Sequence, residues 1–188
     1  PLLPVFSKAF APLIDLGLLR IVTGGGDVGT YLTRHMGIAH VHITGSAVTH
    51  DAIVWGVGAE AEKRKREHKP LLTKPISSEL GGVSPIIVVP GRWSKADLRY
   101  QAEHIATMRL QNSGHNCIAG QVVVLSADWP QRADFVAALR KAYAGAPQRP
   151  VWYPNAKKKM ADAAAAYPVA ESMADGTRLF IDLGPDDD

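Results

Sequence analysis

The single cysteine of the chain, Cys117, has the surroundings that covalent catalysis requires. It lies in the segment NSGHNCIAGQ, residues 112–121, between a predicted helix and a predicted strand. A thiolate nucleophile needs an accessible side chain, and the oxyanion that it generates needs a backbone N–H donor. A glycine-flanked turn provides both. Because a lone cysteine is more often buried and inert, spacing alone leaves the nucleophilic and the structural interpretation open.

A carboxylate, Glu79, is the best candidate for a general base. It lies beside two glycines in the segment SSELGGVSP, residues 77–85, just before a predicted strand. A glutamate within reach of a proton on Cys117 or on a bound water can act as a base. An ordinary exposed glutamate is the commoner explanation, and the pairing with Cys117 favours the functional one.

Two glycine-containing turns are candidates for cofactor binding. Residues 24–29, GGGDVG, match G-x-G-x-x-G and include Gly26 and Gly29. The match follows a predicted strand and opens a predicted helix, as a dinucleotide site does, although a tight turn with positive φ explains the glycines equally well. No acidic residue ends the next predicted strand, which counts against an ordinary Rossmann site. The second turn, Gly45-Ser46, precedes a helix whose free N–H groups suit a phosphate.

Two further features have structural explanations that we prefer. His40 and His42 share a face of one predicted strand and could be metal ligands, but no third ligand has suitable spacing, so we predict no metal site. The basic run at residues 63–69 is typical of an exposed helix C-terminus. It lacks interleaved aromatic residues for base stacking, so we expect no nucleic-acid partner.

Strands alternate with helices along the chain, which predicts an α/β fold with mainly parallel sheets and flanking helices. The predicted strands are 19–23, 40–44, 85–89, 121–125, 150–153 and 178–182. The predicted helices are 5–16, 28–35, 47–65, 95–111, 131–144 and 155–167. Two strands, 85–89 and 121–125, are apolar on both faces, so we expect helices to cover both faces of their sheet.

The segment 67–78 interrupts this alternation, because Pro70 and Pro75 disfavour regular structure. It predicts a boundary between two partial lobes. Residues 1–78 would form a Rossmann-like cofactor-binding lobe, and residues 79–188 would form the lobe that carries the cysteine.

Composition excludes several classes of protein. The 188 residues, 46% of them hydrophobic, are enough for one core or two small lobes, and the net charge is only +3. No apolar stretch approaches the roughly 20 residues that span a bilayer, and no secretory signal begins the chain. One cysteine allows no internal disulfide and fits a reducing compartment, so we expect a cytoplasmic location and no membrane partner.

Four segments, in the same order along the chain, resemble the aldehyde dehydrogenase superfamily. Residues 79–85, ELGGVSP, resemble its glutamate signature E-L-G-G-K-S-P, and residues 117–120, CIAG, resemble its cysteine signature G-Q-x-C-x-A-G. Residues 44–46, TGS, resemble the F-T-G-S turn that meets the dinucleotide, and residues 24–29 resemble the glycine segment before it. The resemblance covers roughly residues 1–145.

This resemblance implies NAD(P)-dependent oxidation of an aldehyde to a carboxylic acid. Cys117 would attack the carbonyl and Glu79 would activate water to hydrolyse the thioester. Gly45 and Ser46 would lie near the phosphates of the cofactor, NAD or NADP, and Leu80 near its nicotinamide. The full-length protein is expected to be a homo-oligomer.

Departures from the family pattern keep two alternatives open. His50 replaces a glycine after the T-G-S turn, Val83 replaces the lysine of E-L-G-G-K, and His115 replaces a glutamine before the nucleophile. The distance from Ser46 to Glu79 is longer than usual, with residues 60–69 as the expected insertion. Other family residues have no counterpart, so we expect a fragment of a longer product that is poorly active alone. The alternatives are acyl transfer to coenzyme A and a non-catalytic binding or assembly module.

Overall fold

The computed structural model describes residues 2–184, and the chain divides into two compact units between Leu80 and Gly81. Within the described residues, no helix is long and apolar enough to cross a membrane.

The first unit contains five helices and one two-stranded parallel sheet among its described residues. The helices are α1 (Leu3–Ala9), α2 (Ala11–Asp15), α3 (Gly26–Arg34), α4 (Ala47–Val54) and α5 (Ala59–Arg66). The strands are β1 (Val41–Gly45) and β2 (Ile76–Leu80). The single predicted helix over 47–65 is therefore two helices, because Gly56 and Gly58 between them adopt φ values of 91° and 72°.

The strand β2 was missed in the sequence, which predicted a boundary over most of this segment. Pro75 does not prevent the strand because it comes just before its first residue, a position that proline tolerates in a sheet. Its carbonyl accepts a hydrogen bond of 3.0 Å from the N–H of Val41, so pairing with β1 begins there. The strand then continues through Glu79 to Leu80.

The predicted strand over 19–23 was wrong, since these residues have no regular secondary structure. Ile21 and Val22 are both exposed. β-branched residues favour a strand only where a neighbouring strand and a packing surface are present, and within the described residues no strand pairs with this segment.

The second unit carries a parallel pair of strands, three α-helices and a C-terminal hairpin. Its helices are α6 (Lys95–Leu110), a 3-10 helix (Gln111–Gly114), α7 (Arg132–Gly145) and α8 (Ala156–Ala166). The strands β3 (Pro85–Ile87) and β4 (Val122–Val124) pair in parallel, and β5 (Glu171–Met173) and β6 (Arg178–Phe180) pair antiparallel. The predicted strand over 150–153 was wrong, because this segment forms no ladder and instead contacts the loop that carries Cys117.

The core of the second unit lies between the β3–β4 sheet and the pair α6–α7. Phe135 of α7 is completely buried, and its ring packs edge-on against Trp93 with centroids 5.6 Å apart. The other buried members are Val88, Leu98, Ala102, Ile105, Trp129 and Leu139. This core holds α6 in place, and α6 leads directly into the Cys117 loop.

Only one face of the β3–β4 sheet is covered. Ile86 and Val123 pack against the core, whereas Ile87 and Val89 are 73% and 71% exposed. The expectation that helices cover both faces was therefore wrong within the described residues. The fold class itself is confirmed, because the chain is a mixed α/β protein with small parallel sheets and flanking helices.

Candidate active site

The Cys117 loop, defined as residues 111–121, connects α6 to β4. Cys117 is exposed in this loop, which contradicts a buried, inert cysteine. Among the described residues, none accepts a hydrogen bond from its backbone N–H. A reacting carbonyl that approached the thiol would therefore meet a free N–H donor belonging to the same residue.

The start of the Cys117 loop adopts a strained backbone. Asn112, Ser113 and Gly114 follow one another with φ values of 50°, 57° and 78°. The left-handed region costs a residue with a side chain about 1–3 kcal/mol. Such a conformation persists only where neighbouring groups hold it, so the contacts of this loop decide where the thiol lies.

Hydrogen bonds within the second unit hold this strained segment. The Nδ2 of Asn112 donates to the Oδ1 of Asn116 at 3.1 Å, and the Nη1 of Arg109 donates to the carbonyl of Gly114 at 3.3 Å. The Oγ of Ser113 donates to the carbonyl of Pro150 at 3.0 Å, which ties the loop to a segment far along the chain.

The Gly81-Gly82 segment packs against the same loop. The Nε2 of Gln121 donates to the carbonyl of Gly82 at 2.8 Å. A Cβ atom placed on Gly82 would lie 3.7 Å from the carbonyl oxygen of Cys117. Gly82, the second glycine after Glu79, is therefore part of the surroundings of Cys117.

Glu79 itself lies within β2 in the first unit, and not merely before β3. The register of the sheet pairs Thr44 with Glu79 and Gly45 with Leu80. The structure therefore brings the T-G-S turn and the start of the E-L-G-G segment side by side. Glu79 is exposed, and within the described part of the chain its carboxylate has no hydrogen-bond or ion-pair partner. Such a carboxylate is free to bind a water molecule.

Two histidines at the start of β1, His40 and His42, lie beside this pair and share one hydroxyl. The Oγ of Ser77 is 3.1 Å from the Nε2 of His40 and 2.9 Å from the Nδ1 of His42. This network was missed because Ser77 belongs to the unpredicted strand β2. The described residues contain no group of three or more His, Cys, Asp or Glu side chains that could hold a metal ion.

His115, two positions before Cys117, makes aromatic contacts that the sequence did not predict. Its ring stacks on Tyr153 with centroids 5.2 Å apart and meets Trp152 edge-on at 5.5 Å. Burial of the ring is the main reason that the pKa of His115 lies below its ordinary value. The positive charges of Arg109 and Lys159 lower this pKa further. In the sequence, only the pair of consecutive aromatic residues at 152 and 153 could have indicated these contacts of His115.

A family model of aldehyde dehydrogenases matches residues 3–182. The chain belongs to the aldehyde dehydrogenase family.

Solved structures of related proteins agree with this assignment. A protein from Burkholderia cenocepacia described as an aldehyde dehydrogenase is 27% identical with a TM-score of 0.59, covering 80% of this chain and 30% of that chain. An indole-3-acetaldehyde dehydrogenase solved with NAD+ is 25% identical with a TM-score of 0.50, covering 68% and 23%. Proline utilization A from Bradyrhizobium japonicum shares the fold, with 22% identity and a TM-score of 0.66. The match covers 87% of this chain and 17% of that chain. The chain thus spans less than a third of the length of each of these three proteins.

The first unit of this aldehyde dehydrogenase chain fits a dinucleotide phosphate at one place. The Ser46 Oγ accepts a hydrogen bond from the Thr49 N–H and so begins α4. Ala47 and Val48 are exposed residues of the first turn, where the helix itself offers no acceptor to the backbone N–H groups. His50, which replaces the family glycine, turns its Nδ1 toward the Asp51 carboxylate at 3.3 Å.

The glycines at residues 24–29 fit less well. No strand precedes them among the described residues, unlike a dinucleotide-binding turn. None of them has a positive φ, so the tight-turn explanation was also wrong. A Cβ on Gly26 or Gly29 would meet nothing within 4 Å, so the start of α3 is open to an approaching group.

Proposed function

We propose that this chain is the part of an NAD(P)-dependent aldehyde dehydrogenase that carries the nucleophile Cys117 and the base Glu79. One observation carries the proposal. Cys117 is exposed on a turn, and its own N–H is unpaired among the described residues. Family membership supports the same chemistry.

The thiolate of Cys117 adds to the aldehyde carbon and forms a C–S bond, which gives a thiohemiacetal. The negative charge that develops on the carbonyl oxygen accepts a hydrogen bond from the Cys117 N–H. NAD or NADP, when bound, would supply the hydride acceptor for oxidation of this carbon, and Cys117 would hold the resulting acyl group as a thioester.

Glu79 then removes a proton from water, and the resulting hydroxide attacks the thioester carbon. The C–S bond breaks, the carboxylic acid leaves and the thiolate of Cys117 is restored. The carboxylate of Glu79 is exposed and has no hydrogen-bond or ion-pair partner among the described residues, which supports its role as the base.

The cofactor would be held by residues of the first unit. The first N–H groups of α4, after Gly45 and Ser46, would bind its phosphates, and Leu80, paired with Gly45, would contact the nicotinamide. Gly26 and Gly29 at the start of α3 are further candidates for contact with the dinucleotide. We further propose an aldehyde as the substrate, which family membership supports, and a cytoplasmic homo-oligomer as the form of the full-length protein.

The test is a rapid-mixing experiment on the longest natural form of the protein, with NAD or NADP and a panel of aldehydes. Absorbance of the reduced cofactor is followed for the wild type, Cys117→Ala, Glu79→Gln and, as a matched control, Glu103→Gln. Glu103 is an exposed glutamate on α6.

We expect continuous reduction by the wild type and by Glu103→Gln, and none by Cys117→Ala. Glu79→Gln should give one equivalent of reduced cofactor and then stall, because the thioester forms but is not hydrolysed. Steady turnover by Glu79→Gln would refute its role as base. No reduction by any folded form would favour the alternative, a non-catalytic binding or assembly module.

A further inference from the structure

The Cys117 loop depends on residues 150–153 for its conformation. Its strained start, at residues 112–114, is held from outside the loop by the hydrogen bond from Arg109 to the carbonyl of Gly114 and by the one from Ser113 to the carbonyl of Pro150. Residues 150–153 have no regular secondary structure of their own. The two segments therefore fix each other, and any group that joins them also fixes Cys117.

His115 is the side chain that joins them most extensively. Its ring stacks on Tyr153 at an interplanar angle of 25° and meets Trp152 at 72°. Trp152 and Tyr153 also contact each other, with centroids 5.6 Å apart. The three rings form a closed cluster, in which the imidazole lies two residues from Cys117. Flat rings of this kind give a stable contact only in particular orientations.

The surroundings of this imidazole favour its neutral form. Its Nε2 is buried and has no hydrogen-bond partner among the described residues. The charged groups that act on the ring are Arg109 from α6 and Lys159 from α8, both cations. The Lys159 ammonium also lies 5.8 Å from the Tyr153 ring, so that the cluster already carries one cation. Stacking on two aromatic rings attracts a cation, but a buried N–H without an acceptor and two nearby positive charges oppose it.

We propose that His115 is a positioning residue for Cys117: its neutral ring, packed between Trp152 and Tyr153, fixes the Cys117 loop against residues 150–153, and uptake of a proton by this ring releases the loop. The inference rests on the proposed role of Cys117 as nucleophile. If the loop is released on protonation of His115, the position of the Cys117 thiol depends on pH through this histidine, in addition to any titration of the thiol.

The direction of the effect follows from linkage. The pKa of His115 is lowered in the folded state, so the unfolded or released state takes up the proton more readily. The packed loop is therefore fully stable above the ordinary histidine value of about 6.5 and loses stability as the pH falls below it. For each unit by which packing lowers the pKa of His115, protonation of the ring lowers the equilibrium constant for packing of the loop about tenfold.

The experiment is amide hydrogen exchange of the full chain at pH 5 and pH 7, with protection corrected for the intrinsic rate. It compares the wild type with His115→Phe, which keeps an aromatic ring but cannot take up a proton, and with His115→Ala. The matched control is His104→Phe, since His104 contacts the Tyr100 ring at 6.0 Å on the exposed side of α6.

We expect protection within residues 111–121, where the N–H groups of His115, Ala119 and Gln121 donate hydrogen bonds, to fall at pH 5 in the wild type and in His104→Phe. His115→Phe should keep its protection at both pH values, and His115→Ala should lack it at both. Equal protection of the wild type at pH 5 and pH 7 would overturn the proposal. So would an equal loss in His115→Phe at pH 5, because the effect would then not come from this ring.

A second measurement connects the loop to the thiol. Cys117 is the only cysteine, so uptake of iodoacetamide reports on it alone. Corrected for the thiolate fraction, the alkylation rate should change between pH 5 and pH 7 in the wild type but not in His115→Phe. A pH-independent corrected rate in the wild type would overturn the positioning role. Neither measurement requires turnover, so a failure of the proposed dehydrogenase activity would remain distinguishable.

Discussion

Arg178 is the buried charged residue on which the C-terminal part of the second unit depends. It is 6% exposed and begins β6. Its Nη1 donates to the carbonyl of Tyr143, and its Nη2 donates to the carbonyl of Pro147 at 2.8 Å. The helix α7 has no basic residue in its own last turn. Arg178 therefore supplies, from another strand, the cation that suits the negative end of this helix.

We predict that Arg178→Met destabilises the protein by about 2–4 kcal/mol. Each hydrogen bond from a charged donor contributes about 1.5–3 kcal/mol. Arg178 makes two short ones and a longer contact of 3.5 Å to the carbonyl of Ala144. The sum is reduced because methionine removes the cost of burying a guanidinium and because water can reach some of the released carbonyls. The aliphatic stem keeps most of the packing, so the loss reports on the hydrogen bonds.

The assay is urea unfolding followed by tryptophan fluorescence. Trp93 and Trp129 lie in the core of the second unit and report on its unfolding. With a slope of about 2 kcal/mol per molar urea, the midpoint should fall by about 1–2 M. Arg178→Lys should lose part of this amount, because an ammonium cannot reach all of the carbonyls at once.

Arg149→Met is the matched control, since Arg149 is exposed and has no hydrogen-bond partner among the described residues. It should change the free energy of unfolding by less than about 0.5 kcal/mol. The reasoning would be refuted if Arg178→Met behaved like this control, because the guanidinium would then contribute no more than an exposed one.

Two further predictions concern the frame that supports the Cys117 loop. Phe135→Ala should lower the free energy of unfolding in urea by about 3–5 kcal/mol, because the completely buried ring packs against Trp93 and Trp129. A loss below about 1 kcal/mol would contradict this, because it would mean that the core refills the cavity. Ser94→Ala should lower the free energy of unfolding by about 1 kcal/mol and the melting temperature with it. The substitution removes the capping box in which Ser94 and Asp97 each accept a hydrogen bond from the other's backbone N–H at the start of α6. An unchanged melting temperature would show that water replaces this cap.

The helices of the second unit could be predicted because their signals are local. The α6 helix begins at the capping box of Ser94 and extends to Leu110, within one residue of the prediction. The strands β3 and β4 were found from their runs of apolar, β-branched residues. By contrast, the same kind of run at 19–23 forms no strand, because strand formation depends on a partner that composition does not reveal.

The position of Cys117 on a turn between a helix and a strand could also be predicted, because the glycines and the following apolar run mark the turn. The contacts of its neighbours could not. The stacking of His115 on Tyr153 joins residues that are far apart in the sequence, and so does the hydrogen bond from Ser113 to Pro150. Such contacts depend on how α8 and the loop before it pack, which periodicity does not specify.

The connection between the T-G-S turn and Glu79 contains the segment that we predict to be an insertion, residues 60–69. Most of this segment lies in α5, which spans Ala59–Arg66 within the connection between the two strands. A parallel pair of strands requires a long crossover but does not fix its length, and lengthening a surface connection costs little free energy. Thr44 therefore still pairs with Glu79 in the sheet. The motif residues that the family resemblance places at the cofactor and at the base are neighbours on one sheet, whatever the length of the chain between them.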